Sequence, residues 1–78
     1  SEALLYIKEN LKEGNTKKLK DEAKEMLLQK GFLIDYIELA DADTLELVEH
    51  WNGKQKVVAL AAAFLNKVRL FDNMVINT

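Results

Sequence analysis

The sequence predicts an α+β two-layer domain, with two N-terminal helices packed on a three-stranded antiparallel sheet that ends in a C-terminal hairpin. Three observations carry that expectation. Apolar residues recur at helical spacing through the first thirty positions; the period shortens to that of a strand directly after Gly31; and two apolar runs, Val57 to Leu65 and Val68 to Ile76, are separated only by Asn66-Lys67.

Leu4, Ile7 and Leu11 define one face of a helix over Ser1 to Leu11, with Lys8, Glu9, Lys12 and Glu13 opposite. Gly14 and Asn15 end it, because both enter left-handed backbone conformations at low cost. A second helix starts at Asn15 or Thr16, either of which can accept a bond from a first-turn N–H. Its apolar stripe is Leu19, Ala23, Met26, Leu27 and Lys30, and its solvated face is Lys17, Lys20, Asp21, Lys24 and Glu25. Gly31 closes it. Phe32, Ile34, Tyr36 and Glu38 then alternate with Leu33, Asp35, Ile37 and Leu39, an imperfect but β-favouring pattern. Asp43 with Glu46 three residues later has capping-box spacing, which predicts one or two further helical turns. Asn52-Gly53-Lys54 marks a turn.

Val57 to Leu65 is expected to be the central strand. One of its faces carries Val57, Ala59, Ala61, Ala63 and Leu65, and an Ala-lined surface lets a helix approach closely. Asn66-Lys67 then folds the chain back on itself, since Asn tolerates the positive φ of a tight hairpin.

At 78 residues the chain supports one domain, burying roughly 60% of its unfolded surface with a stability of about 4 to 12 kcal/mol. It lacks Cys, so disulfides, thiolate nucleophiles and Cys-based zinc sites are excluded, and the cytoplasm is the expected compartment. A net charge of -2, with Arg69 the only Arg, argues against a nucleic-acid partner. The longest apolar run is nine residues, below the roughly 18 to 20 that span a bilayer, so no membrane partner is expected.

Reactive constellations are not visible. His50 is the only His and lacks the converging ligands of a metal site or the nucleophile of a triad. Asp41 and Asp43 resemble a carboxylate pair, but residues two apart diverge, and Asp43 has the simpler task of capping. Gly14, Gly31 and Gly53 are too dispersed for a phosphate loop. Arg69, Asp72 and Asn73 interrupt an apolar strand. They are read either as an internal ion-pair and hydrogen-bond set that fixes register or, through Arg69, as a substrate contact. Catalytic, cofactor-binding and metal-binding residues are therefore each assigned as none.

The runs DYIELADADTL (Asp35 to Leu45), VVALAAAFL (Val57 to Leu65) and VRLFDNMVI (Val68 to Ile76) closely resemble the end of the pantothenate synthetase, or pantoate:beta-alanine ligase, family. Ala3-Leu4-Leu5-Tyr6 and Leu11 extend the likeness over the first helix. Asn66 stands where the family usually has Gly, and Phe71 where it usually has Ile; the first still suits the turn and the second alters packing.

That resemblance implies that residues 1 to 78 form a single C-terminal lid domain of a two-domain cytoplasmic ligase. The whole enzyme is expected to use ATP and Mg2+ to join pantoate to beta-alanine through an acyl adenylate. Its reactive motifs, His-x-Gly-His and a Lys-Met-Ser-Lys-Ser-like run, belong to an N-terminal nucleotide-binding domain and do not occur here. The chain itself is then inactive and holds no cofactor. Its partner is that N-terminal domain, in an enzyme expected to be a homodimer, with the isolated piece a monomer. The competing reading is a small α+β protein-interaction module that uses a sheet edge or a helix face.

Overall fold

The computed structural model describes residues 1–77. In chain order the elements are α1 (Glu2–Asn10), β1 (Gly14–Asn15), α2 (Lys17–Gln29), β2 (Leu33–Asp41), β3 (His50–Trp51), β4 (Val57–Leu65) and β5 (Val68–Val75). The main sheet is antiparallel in the order β2-β4-β5, so the Ala-rich strand is central as expected. Two helices on one face of this sheet make the predicted α+β two-layer domain. Among the described residues no helix is long and apolar enough to cross a membrane.

Helix α1 is capped by Ser1, whose Oγ accepts the Leu4 N–H at 3.3 Å. At the start of α2 the two candidate caps divide the work. Asn15 Oδ1 accepts the Lys17 N–H at 2.8 Å, whereas the Thr16 hydroxyl is buried and donates to the Val48 and Glu49 carbonyls. The Thr16 N–H also bonds the Glu49 carbonyl at 2.9 Å, so this helix start is tied to a segment more than thirty residues away. The end of α2 follows the sequence expectation. Gly31 takes φ +92, its N–H meets the Leu28 carbonyl and that of Phe32 meets the Leu27 carbonyl, a Schellman closure that a residue with a Cβ would strain. Lys30, placed on the apolar stripe by spacing, is exposed and pairs with Glu2.

The imperfect alternation in β2 has a structural cause. Opposite β4, Ile34 faces Ala63 and Tyr36 faces Ala62, leaving Asp35 as an extra residue in a bulge. The bulge resets the pleat, so Ile34, Ile37 and Leu39 all point to the helix side despite their odd spacing, while Leu33, Tyr36 and Glu38 point away. On β4, Val57, Ala59, Ala61 and Ala63 share the helix side and are all buried. There Val57, Ala59 and Ala61 join Leu4 and Ile7 of α1, Ala23 of α2, Ile37, Leu39, Val48 and Ile76 in one core. Small Ala side chains let the helices sit close to the central strand, and the larger β2 and α1 residues fill the remaining space.

The helical turns expected after Asp43 do not form, and this corrects the sequence reading. The residue that organises the segment is Asp41, not Asp43. Its Oδ1 accepts the N–H groups of Asp43 at 2.8 Å and Thr44 at 3.0 Å, and its Oδ2 accepts Gln55 Nε2 at 3.1 Å. A turn built on Asp41 competes directly with a helix capped two residues later. Long-range bonds then hold the chain extended: the Val48 N–H donates to the Leu39 carbonyl at 2.7 Å, Leu47 bridges Ala40, and β3 pairs with β1. The β1–β3 ladder and the 47–48 contact are features that the sequence reading did not contain.

Those bonds favour the charged form of Asp41. Backbone N–H groups of Thr44 and Asp43, followed by the Gln55 amide, hold its carboxyl below the usual range. A carboxylate with a lowered folded-state pKa adds stability above its unfolded value and loses it as pH falls through the folded one. Stability is therefore expected to decline below about pH 4, and Asp41→Asn to flatten part of that decline. Denaturant titrations of both proteins along an acid series check this; identical acid slopes would refute it.

The hairpin is as predicted, with Asn66 and Lys67 at φ +50 and +69, a two-residue turn that matches the sheet twist. Strand β5 is the outer strand of the sheet, with no partner on its far side among the described residues.

Candidate functional site

The residues singled out for chemistry lie apart. His50 is exposed on β3 opposite Asn15. Asp41 is committed to its turn, and Asp43 is exposed beyond it. Among the described residues no group of three or more His, Cys, Asp or Glu is placed to hold a metal ion. The donor set that Mg2+ would require does not converge in this part of the molecule.

Arg69, Asp72 and Asn73 divide between the two faces of β5. Arg69 lies on the side away from the helices, where its Nη2 donates to Asp35 Oδ2 at 2.6 Å and its guanidinium carbon sits 4.4 Å from the centre of the Phe71 ring. The ion pair crosses the central strand and joins β5 to the bulge of β2, so an internal partner for Arg69 is present. Both side chains are more than one-third exposed, and solvent screening limits such a pair to roughly 1 kcal/mol or less. Asp72 lies on the helix side. Its Oδ2 is 2.7 Å from the Ser1 nitrogen and its Oδ1 accepts the Asn73 N–H. Asp35 was not paired with Arg69 in the sequence reading. The break in alternation at Asp35 was the available signal, because a bulge re-aims the side chain it carries.

A concave region at the start of α2, about 390 Å3, is lined by Asn15, Thr16, Lys17, Lys20, Lys24 and others. Its lysines are largely spoken for: Lys17 pairs with Asp21 at 2.8 Å and Lys20 reaches Glu38 at 3.5 Å. It does not form the concentrated positive field that a phosphate group requires.

The more unusual feature is bare apolar surface. On the sheet face turned away from the helices, Leu33 is 69% exposed and Phe71 65%, with Phe64 and Val75 also exposed beside them. Neighbouring Tyr36, Val58 and Leu60 are half-buried. Exposed apolar groupings of this kind are common where a protein meets a partner or a ligand. The bulge in β2 and the packing of the helices on the Ala-lined face of β4 determine which apolar side chains are left bare.

The Pantoate-beta-alanine ligase family matches residues 1–75. A pantothenate synthetase of Laribacter hongkongensis is 43% identical over 73 residues, covering 91% of this chain and 26% of that protein. One from Thermosipho melanesiensis is 41% identical over 76 residues, covering 95% of this chain and 26% of that protein. One from Coprothermobacter proteolyticus is 50% identical over 50 residues, 64% of this chain and 17% of that protein. The chain thus spans about a quarter or less of the length of these relatives. A family match that runs from the first helix to the last strand leaves no element of the fold outside it, and the chain belongs to the pantoate-beta-alanine ligase family.

Proposed function

We propose that residues 1 to 78 are the C-terminal lid domain of a pantoate:beta-alanine ligase and contain none of its reactive groups. The observation that carries this reading is the family match across 75 residues in a chain that spans only about a quarter of its relatives. The scattered positions of His50, Asp41 and Arg69 support it, since none has the converging partners that acid–base or nucleophilic work requires.

In the whole enzyme the pantoate carboxylate attacks the α-phosphorus of ATP and pyrophosphate leaves. The amine of beta-alanine then attacks the acyl carbon of the adenylate, and AMP leaves. Both steps belong to the N-terminal nucleotide-binding domain. Mg2+ finds no converging donors among the described residues of this chain, and no step passes through it here. The lid's contribution is closure: an acyl adenylate is hydrolysed by water, and a rigid two-layer domain seated over the site excludes it. A core that ties both helices to the central strand suits this, because a cover must move as one body. The whole enzyme is read as a cytoplasmic homodimer, and the isolated piece as a monomer.

A chimera tests the reading. Replacing the aligned stretch of the Laribacter hongkongensis pantothenate synthetase with this chain is expected to retain ATP-dependent pantothenate formation, whereas the 78-residue chain alone is expected to form none. A folded chimera without turnover, or turnover by the chain alone, overturns it.

A further inference from the structure

Six asparagines occur in the sequence, and Asn52 alone is followed by glycine. Asn52 and Gly53 are exposed in the connection between β3 and β4, outside any helix or strand. The Asn52 Oδ1 accepts the N–H groups of Lys54 at 2.8 Å and Gln55 at 2.9 Å. Two donors on one carbonyl oxygen draw electron density from Cγ and stand where negative charge develops when a nucleophile adds to that carbon. Among the described residues, neither the Asn52 amide nitrogen nor the Gly53 N–H has a hydrogen-bond acceptor, so leaving group and nucleophile are both free. Gly53 takes φ +83 and carries no Cβ to shield its nitrogen. Asn15 shows the contrast. Its Oδ1 also accepts an N–H, from Lys17 at 2.8 Å, but the next residue is the buried, β-branched Thr16, whose own N–H is bonded to the Glu49 carbonyl at 2.9 Å. Asn10 donates its amide to the Tyr6 carbonyl, and Asn77 uses both ends of its amide, on Val57 and Gln55.

We propose that Asn52 is a site of spontaneous covalent modification in the folded protein, at which the Gly53 nitrogen closes on Asn52 Cγ to form a succinimide. Asparagine is among the thermally labile residue types, and here the turn presents its amide ready for attack. The N–Cγ bond forms, the Cγ–Nδ2 bond breaks, and the proton lost from the Gly53 N–H leaves with the amide nitrogen as ammonia. One water then opens the ring. Addition at the former side-chain carbonyl gives aspartate; addition at the main-chain carbonyl gives isoaspartate, in which the backbone runs through Cβ and Cγ. Nothing is oxidised or reduced, and solvent water is the only co-reactant. Isoaspartate carries its carboxylate directly on Cα, away from the Lys54 and Gln55 N–H groups that Oδ1 holds in the unmodified turn. Gln55 in turn accepts the Trp51 indole N–H at 3.0 Å, so the lesion falls beside the bonds that organise this corner. The chemistry requires only the turn and water, and is independent of the lid role.

Ageing the whole protein at neutral pH tests this. Samples are digested in acid, which prevents conversion during handling, and analysed by mass spectrometry with fragmentation that separates isoaspartate from aspartate. Both products are expected at residue 52, formed at least about tenfold faster than any product at Asn15. Gly53→Ala is expected to slow the conversion by about tenfold as well, because a Cβ shields the attacking nitrogen. That Cβ would meet the Glu13 side chain at 3.7 Å, an ordinary contact, but at a φ of +83 that strains alanine. If the variant fails to fold, the comparison of Asn52 with Asn15 in the unaltered protein decides alone. Aspartate without isoaspartate at residue 52, equal rates at the two asparagines, an unchanged rate in folded Gly53→Ala, or conversion only after unfolding in urea overturns the proposal.

Discussion

Leu39→Ala is expected to lower the unfolding free energy by about 2 to 5 kcal/mol, the range for removing a fully buried Leu side chain. Leu39 has no exposed surface, sits in β2 opposite Ala59, and belongs to the core that joins both helices to the sheet. Its register partner on β4, Ala59, is too small to fill the space. Toward the lower end of the range of about 4 to 12 kcal/mol for a chain of this length, the loss is enough to leave a sizeable unfolded fraction. Leu33→Ala provides the contrast. That residue is 69% exposed on the opposite sheet face, and its removal is expected to change stability by no more than about 0.5 kcal/mol. Urea titrations followed by far-ultraviolet circular dichroism measure both, and similar losses at the two positions would show that the core is not where it has been placed.

Adding volume to the same layer is expected to do harm as well. Ala59→Leu should destabilise by about 1 to 3 kcal/mol, even though it adds apolar surface to a site with no solvent exposure. Simple area burial at about 25 cal/mol per Å2 predicts the opposite sign, so the experiment decides between packing and hydrophobicity as the controlling term. The packing argument prevails because Ala59 lies between Leu39 on one side and Met74 on the other, beneath the helix layer. A larger side chain there has to displace α1 or force its neighbours off their rotamers. Ala42→Leu, in an exposed turn, is the control and should be close to neutral. A neutral or stabilising Ala59→Leu would mean that the helices do not approach the central strand as closely as described.

These two substitutions also show which parts of the fold were legible in the sequence. The helices, the end of α2 at Gly31, the central strand from Val57 to Leu65 and the turn at Asn66-Lys67 all depend on neighbours a few positions apart, and local patterns specify them. The segment from Asp41 to Trp51 does not. There two local motifs compete, the Asx turn of Asp41 and the capping spacing of Asp43 with Glu46. Bonds from Thr16 and Leu39, distant in sequence, decide the outcome for the extended form. For the candidate site the limit was similar. The Arg69–Asp35 pair spans 34 positions and depends on a bulge that appears in the sequence only as a flaw in an alternating pattern. Which sheet face stays bare follows from the side on which the helices pack, a property of the assembled layers and not of any one strand.

The end of the domain near residue 51 has a practical consequence. Trp51 is the only indole in the chain, and its Nε1 donates to the Gln55 carbonyl, which also accepts from Asn77 Nδ2. Its emission is therefore a built-in optical reporter of the corner where the loops meet the C-terminal residues. A red shift of that signal ahead of the circular-dichroism transition would reveal the corner fraying before the helices and the sheet melt.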